Sequence, residues 1–312
     1  MTCRLFFVFA IVLLTGLPAS AADKLTVLLD WFVNPDHAPL IIAGEKGYFA
    51  EFGLDVELIP PADPSAPPRL VAAGQGDIAI SYQPNLYLQV AEGLPLVRIG
   101  TIVSTPLNAL VVLNDGPIGT IADLKGKTVG FSVGGFEDAL LKKMLSQAGL
   151  DLSDIKLVNI NFALSPSLIS GKVDAVIGAF RNFELNQLEL EDRPGRAFYP
   201  EEHGVPAYDE LIYLTRRDMA GDERLRRFLA AVEKATLYLT NHPDEALALF
   251  LKAHPDLDNP LNRRAFADTL PRFSKSPAAL DAGRYKRFGE FMKQQGLIGE
   301  IAPLDHYAVT VD

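Results

Sequence analysis

The chain has 312 residues, a formal net charge of −10 and 48% hydrophobic residues. This acidic balance argues against a nucleic-acid partner, which would need a basic stripe, and the length suits one large domain or two medium ones. Cys3 is the only cysteine, so no disulfide can form within the chain.

The first 21 residues are typical of a cleaved export signal. Arg4 precedes an apolar run at 5–14, and the small residues Ala-Ser-Ala follow at 19–21. The apolar run is too short for a comfortable membrane span. Cys3 lies before that run, so lipid attachment at the mature N-terminus is not expected. We therefore expect residues 1–21 to be removed and the mature chain to be periplasmic.

Short apolar runs then alternate with helical runs as far as residue 93. The runs LTVLLD, DVELIPP and DIAIS are typical of strands, whereas APLIIAGEKGYFAEFG, PPRLVAAGQG and PNLYLQVAEG are typical of helices that end at glycine. Strands joined through helices by short links favour right-handed crossovers and a parallel sheet. Two extended runs follow, LVRIGTIVST and LNALVVL.

A second alternation begins with the strand KTVGFS and continues through FEDALLKKMLSQAG, IKLVNI, SLISG and DAVIGA. ELIYLTRR is a further strand, and the signals beyond it are almost all helical. Two similar α/β units followed by a helical tail predict an α/β fold of two lobes. Each lobe would be a mostly parallel sheet flanked by helices, with a ligand cleft between the lobes.

The expected lobe boundaries follow from that pattern. Residues 22–115 and 212–312 are assigned to a discontinuous lobe 1, and residues 116–211 to lobe 2. Connecting strands near 113–118 and 207–213 would form a two-strand hinge.

Four segments in order resemble a known family: DWFVNPDHAPLIIAGEKGYFAEFGLDVEL, LVAAGQGDIAIS, LKGKTVGFSVGG and LISGKVDAVIGAFRNFELNQLEL. They resemble the periplasmic solute-binding proteins of ABC transporters, type II fold, in the branch of thiamine-pyrimidine precursor carriers. That branch also contains the fungal hydroxymethylpyrimidine phosphate synthase. HAPLIIAGEKGYF and GQGDIAIS are shared with sulfonate, nitrate and taurine carriers, whereas DWFVNPDH with RNFELNQLELE is typical of the pyrimidine branch. The resemblance implies a pyrimidine ligand and ABC permease subunits at the inner membrane as partners.

The chain departs from the synthase of that branch. Ser81 and Asn85 stand where the enzyme has the lysine that holds pyridoxal phosphate and a histidine slightly further on. HGVPAYDELIY has no cysteine where the enzyme has a cysteine-rich signature. No nucleophile elbow or cysteine nucleophile is present either. We therefore expect a binding protein rather than an enzyme, with no cofactor and, by default for this class, a monomer.

The turn after the first strand supplies the first ligand candidates. Trp31 would stack on a planar ring, although a lone tryptophan is commonly a core residue. Asn34 offers a donor and an acceptor to a ring nitrogen and its amino neighbour. Asp36 is interpreted as a helix N-cap. His37 is a further candidate, although a satisfied histidine at a helix start is common. Tyr82 would cover the opposite face of the ring or pack under its loop.

The second lobe supplies the remaining candidates. Glu184 would accept hydrogen bonds from an amino group and a protonated ring nitrogen, as the resemblance implies for a glutamate in this region. Its alternative role is helix N-terminal stabilisation. Backbone N–H groups of Ser132, Gly134 and Gly135 could hold a ligand oxygen, although glycines before a helix are often only a turn. With no cysteine or second histidine near His37, a metal site is not expected.

Two other functions stay open. The first is binding of an aliphatic sulfonate, taurine or a nitrate-like anion, which needs a cationic cleft, and the sequence offers little besides Arg181. The second is a synthase-like enzyme, which the missing lysine and cysteines disfavour.

Overall fold

The computed structural model describes residues 22–311, so the predicted export signal lies outside the described residues. The first of its two sheets contains β1 (Asp23–Leu28), β2 (Leu54–Ile59), β3 (Ile78–Ser81), β4 (Leu96–Val103) and β10 (Leu211–Arg216). The second contains β5 (Asn108–Leu113), β6 (Thr128–Phe131), β7 (Lys156–Asn159), β8 (Ala175–Phe180) and β9 (Gly195–Phe198). The strand orders are β2-β1-β3-β10-β4 and β7-β6-β8-β5-β9.

The two sheets have the same plan. In the first, β1, β2 and β3 are parallel, and β10 runs antiparallel between β3 and β4. In the second, β6, β7 and β8 are parallel, and β5 runs antiparallel between β8 and β9. Four strands of each sheet therefore share one direction. The predicted α/β class and its two mostly parallel sheets are confirmed.

Eleven α-helices cover these sheets within the described residues: α1 (Ala38–Glu45), α2 (Tyr48–Glu51), α3 (Pro67–Ala72), α4 (Gln83–Ala91), α5 (Phe136–Gln147), α6 (Leu164–Ile169), α7 (Glu184–Leu190), α8 (Glu223–Asn241), α9 (Pro243–Ala253), α10 (Pro260–Thr269) and α11 (Ala282–Gln294). The single helix predicted from APLIIAGEKGYFAEFG is two, because Gly47 adopts a left-handed φ of +69° that interrupts the helical hydrogen bonds. No helix of residues 22–311 is long and apolar enough to cross a membrane.

The chain crosses between the sheets at residues 104–107 and again between β9 and β10. The prediction that residues up to 115 belong to lobe 1 is wrong for β5, which pairs with β8 and β9 in the second sheet. A buried apolar strand carries no sequence signal for the sheet it joins. Glu210 ties the two crossings together, since its Oε2 accepts the N–H groups of Leu107 and Asn108 at 2.6 and 2.9 Å.

The hydrophobic cores hold the two lobes in contact. Helices α1, α8 and α9 pack together on the first sheet, so the helical tail belongs to lobe 1. The core of lobe 1 also includes Phe136 and Leu140 at the start of α5, which belongs to lobe 2. The second sheet has a separate apolar core on each face. The lobes therefore meet along a packed surface.

Candidate functional site

A cavity lies between the lobes, where β1 and β3 of the first sheet and β8 of the second sheet end. It contains about 390 Å³ of space free of protein atoms, a volume that includes space open to solvent. Lobe 1 and lobe 2 both supply wall residues: Asp30, Trp31, Asn34, Asp36 and Tyr82 from the first, and Glu137, Leu164, Gly178, Phe180, Phe183 and Glu184 from the second. Carboxyl ends of parallel strands are where α/β folds bind ligands.

The ionisable groups of the cavity wall are acidic apart from the phenol of Tyr82. Among residues 22–311, four carboxyl groups line it, and no lysine, arginine or histidine side chain does. Arg181, the predicted source of positive charge, instead makes a two-pronged salt bridge with Glu201, from Nη1 to Oε1 at 2.7 Å and from Nη2 to Oε2 at 3.1 Å. Its guanidinium also lies 4.0 Å from the ring centre of Tyr199. The wall therefore favours a ligand that donates hydrogen bonds or carries positive charge.

Asp30 organises the lobe 1 side of the cavity. His37 places Nε2 2.9 Å from Asp30 Oδ1, and its Nδ1 accepts the N–H of Asn34 at 3.3 Å, so the proton belongs on Nε2. The hydroxyl of Tyr82 donates to Asp30 Oδ2 at 2.9 Å. His37 is fully buried behind the wall rather than on it. The structure thus gives His37 a positioning role, and Asp30, the last residue of LTVLLD, was missed by the sequence analysis.

The structure gives Asn34 the capping role that was predicted for Asp36, and it places Asp36 in the cavity wall beside Asn34. Asn34 Oδ1 accepts the N–H of Asp36 at 2.8 Å, which makes Asn34 the N-cap of the 3-10 turn Pro35–His37. The interpretation of Asp36 as the cap is therefore wrong. Asp36 is 2% exposed as a residue, and its carboxyl lies in the cavity wall, where burial raises its pKa to about 6. Asn34 also lies in the wall, with Nδ2 donating to the Phe32 carbonyl at 3.1 Å.

Aromatic rings from both lobes border the cavity. Trp31 meets the edge of Phe162 with ring centres 4.6 Å apart and planes inclined by 70°. Tyr82 stacks on Phe136 at 4.7 Å and 20°, so one of its faces is already covered by lobe 2. Phe180 lies edge-on to Tyr82 at 6.4 Å. A planar ligand can therefore use only the remaining face of Tyr82.

Glu184 opens α7 and faces the cavity. Its Oε2 accepts the backbone N–H of Phe180, the last residue of β8, at 2.7 Å, and the carboxyl also lies in the wall. This hydrogen bond is to the strand, so it does not test the predicted alternative role of Glu184 at the N-terminus of α7. Burial raises its pKa to about 8. No side chain within residues 22–311 donates a hydrogen bond to it. Burial therefore favours the protonated form of this carboxyl, which is available to a ligand in the cavity.

The glycine loop after β6 is not part of the cavity wall. Ser132 donates its N–H to Glu137 Oε2 at 2.7 Å and its hydroxyl to the Asn161 carbonyl. Neither Ser132 nor its neighbours Gly134 and Gly135 line the cavity. Glu137, which the sequence analysis missed, takes the position expected for a ligand oxygen, and burial raises its pKa well above the usual range.

Gly178 explains how Glu137 fits against β8. A Cβ at this position would lie 2.3 Å from Glu137 Oε1, and the backbone φ is +98°, so both space and conformation call for glycine.

Within the part of the chain that the structure describes, no three acidic, histidine or cysteine side chains are grouped closely enough to hold a metal ion.

The family model and the relatives described below point to the same family. The family model described as "NMT1/THI5 like" matches residues 34–246. A Haemophilus influenzae protein described as a candidate thiamine biosynthesis protein is 53% identical over 308 residues, 98% of each chain. A formylaminopyrimidine-binding protein of Halalkalibacterium halodurans is 35% identical over 80% of this chain and 76% of its own length. A 4-amino-5-hydroxymethyl-2-methylpyrimidine phosphate synthase of Legionella pneumophila is more distant, at 28% identity over 90% of both chains.

A solved structure supports the fold assignment. The periplasmic aliphatic sulphonate binding protein of Escherichia coli superposes with a TM-score of 0.69 over 93% of each chain, at 17% identity. At that identity the likeness establishes a periplasmic-binding-protein fold alone, as the sequence predicted.

Proposed function

The chain belongs to the NMT1/THI5-like family, and from that premise we propose that it binds a thiamine pyrimidine precursor, hydroxymethylpyrimidine or formylaminomethylpyrimidine, in the cavity between its lobes. It would act in the periplasm as the substrate-binding component of an ABC importer. The N-terminal pattern, the family resemblance and the relative named for formylaminopyrimidine binding support this role. The observation that carries the proposal is a cavity between the lobes whose wall, among the described residues, has four carboxyl groups and no lysine, arginine or histidine side chain.

A 4-aminopyrimidine is complementary to Glu184. Its edge presents an amino donor beside a ring-nitrogen acceptor, and a protonated carboxyl presents an acceptor beside a donor. The raised pKa of about 8 supplies that protonated form at neutral pH. If the ring nitrogen is protonated instead, the ionised carboxylate accepts from both groups. Two such hydrogen bonds contribute about 1 kcal/mol each when neutral and about 1.5–3 kcal/mol each when charged.

The remaining wall suits the rest of an aminopyrimidine. Trp31 offers a ring for offset stacking, and Asp36, in the same wall as Glu184, offers a second carboxyl for donors on the ligand substituent. Asn34, fixed as a cap, contributes a partly satisfied amide to the same wall. Closure of the lobes around the ring would exclude water and strengthen each of these hydrogen bonds.

An anionic ligand is disfavoured by the same wall. A sulfonate would lie among acidic groups with no cation to offset its charge, because Arg181 is committed to Glu201 outside the cavity. We expect Arg181→Ala to leave pyrimidine affinity within about twofold of the parent, whereas a sulfonate carrier relying on this arginine would lose most of its affinity. Isothermal titration of the two proteins distinguishes these outcomes.

Calorimetry tests the proposal directly. Ligand-stripped protein is titrated with hydroxymethylpyrimidine, formylaminomethylpyrimidine, thiamine, taurine and an alkanesulfonate. We expect one pyrimidine to bind at micromolar or lower concentration and Glu184→Ala to weaken it more than tenfold, with Glu189→Ala on the exposed side of α7 as control. Binding of a sulfonate alone would contradict the proposal. Absence of a spectral change with pyridoxal phosphate would argue further against the synthase alternative.

A further inference from the structure

A polar seam joins the lobes beside the cavity. Asn182, which precedes α7 in lobe 2, donates from Nδ2 to Asp36 Oδ1 at 2.6 Å and to Thr269 Oγ1 at 2.7 Å, both in lobe 1. Thr269 ends α10, and its hydroxyl lies 3.0 Å from Asp36 Oδ1. All three side chains are at most 2% exposed. We call these three residues the Asn182 seam.

An exposed rim continues the seam along α7 and α10. Asn186 Nδ2 donates to Asp268 Oδ2 at 2.7 Å and to the Asn182 carbonyl at 2.9 Å. Glu189 and Arg264 approach to 3.6 Å across the same helices. Exposed pairs of this kind contribute little, so the buried hydrogen bonds of Asn182 are the principal polar link on this side of the cavity.

The seam connects lobe closure to the cavity wall through one carboxyl. Asp36 lies in the wall, whereas Asn182 and Thr269 do not. Because Asn182 belongs to the opposite lobe, its hydrogen bond can hold the Asp36 carboxyl only when the lobes are together. Thr269 of lobe 1 also contacts Asp36 Oδ1, so closure adds the Asn182 hydrogen bond to a carboxyl that its own lobe already contacts.

The seam also contains a feature that favours opening. Asn182 Oδ1 is buried and has no hydrogen-bond partner among the described residues. Burial of an unpaired amide oxygen is unfavourable, and separation of the lobes would return that oxygen to water. Two good hydrogen bonds and one orphaned acceptor on the same side chain make a contact that can form and break.

The geometry points to Asn182 as a positioning residue that couples closure of the lobes to the placement of the Asp36 carboxyl at the ligand. This inference rests on the proposed function for the ligand and on the structure alone for closure. Asn182 does not line the cavity, so its removal can act on affinity only indirectly, through closure, through Asp36 or through the adjoining wall residues Phe183 and Glu184.

The test compares Asn182→Ala with Asn262→Ala. Asn262 is a matched control because it is also a buried asparagine with an unpaired Oδ1, but it bonds only to Asn259 within lobe 1. Without ligand, small-angle X-ray scattering gives the radius of gyration, and fluorescence of Trp31 reports opening. Trp31 is the only tryptophan and packs against Phe162 of lobe 2.

We expect Asn182→Ala to increase the radius of gyration and to red-shift the emission of Trp31. The same variant should weaken pyrimidine binding roughly tenfold, mainly by faster dissociation. The control Asn262→Ala should show none of these changes. The exchange Asp36→Asn with Asn182→Asp recreates the pair with donor and acceptor reversed, and it should restore the closed radius and emission where Asn182→Asp alone does not. Unchanged scattering and emission in Asn182→Ala would overturn the inference whatever the ligand does. If Asn182→Ala opens but the parent protein binds no pyrimidine, the closure role of the seam is retained and the proposed function is refuted.

Discussion

Glu184 should make the protein less stable as the pH rises through the neutral range. Its pKa is 4.5 in an unfolded chain and about 8 in the folded protein, where burial disfavours the charged form. Both states are protonated below pH 4.5, so the native carboxyl then carries no penalty. Between pH 4.5 and about 8 the unfolded state releases its proton first, and the free energy of unfolding falls. Across this pH interval the free energy of unfolding falls by at most about 5 kcal/mol.

Urea denaturation of Glu184→Gln measures this effect. Glutamine keeps the acceptor for the Phe180 N–H but cannot ionise, so we expect the variant to gain stability relative to the parent as the pH rises from 5 to 9. Glu189→Gln, exposed on the same helix, controls for the loss of one formal charge. Parallel stability profiles of Glu184→Gln and the parent over this range would refute the assignment of Glu184 as a buried, protonated carboxyl.

Two further substitutions test the wall of the cavity. Tyr82→Phe removes the donor to Asp30 Oδ2 and should lower the free energy of unfolding by about 1–3 kcal/mol in urea titrations at pH 7, and an unchanged value would show that this hydrogen bond is not made. Gly178→Ala should lower the free energy of unfolding by about 2–4 kcal/mol, because the new Cβ meets Glu137 at a positive φ. Gly171→Ala, with φ +71° and open space around it, should lower it by only about 1 kcal/mol. Equal losses of stability in the two variants would contradict the close packing of Glu137.

Strand ends were predictable from the sequence, and the partners of their side chains were not. Parallel strands place their carboxyl ends at one edge, so the residues after β1, β3 and β8 were expected to converge, and Trp31, Tyr82 and Glu184 do share one cavity. Asn and Asp are equally good N-caps, so no sequence rule decides between Asn34 and Asp36.

The missed residues have a common cause. Glu137 lies one residue into α5, where an acidic side chain is ordinarily a solvated first-turn residue, and only the approach of β8 buries it. Asn182 contacts Asp36 across 146 positions of sequence. β5 was assigned to the wrong lobe because an apolar strand fits the core of either sheet. All three contacts join segments that are far apart in the sequence, and local patterns do not encode them.

The central claim is that the carboxyl-lined cavity recognises the amino edge of a pyrimidine. The most direct test is calorimetric comparison of hydroxymethylpyrimidine with an analogue in which hydrogen replaces the 4-amino group. We expect the analogue to bind at least about tenfold more weakly, because a buried acceptor loses its donor, and Glu184→Ala to abolish this difference. Equal affinities of the parent protein for the two compounds would show that the amino edge is not recognised.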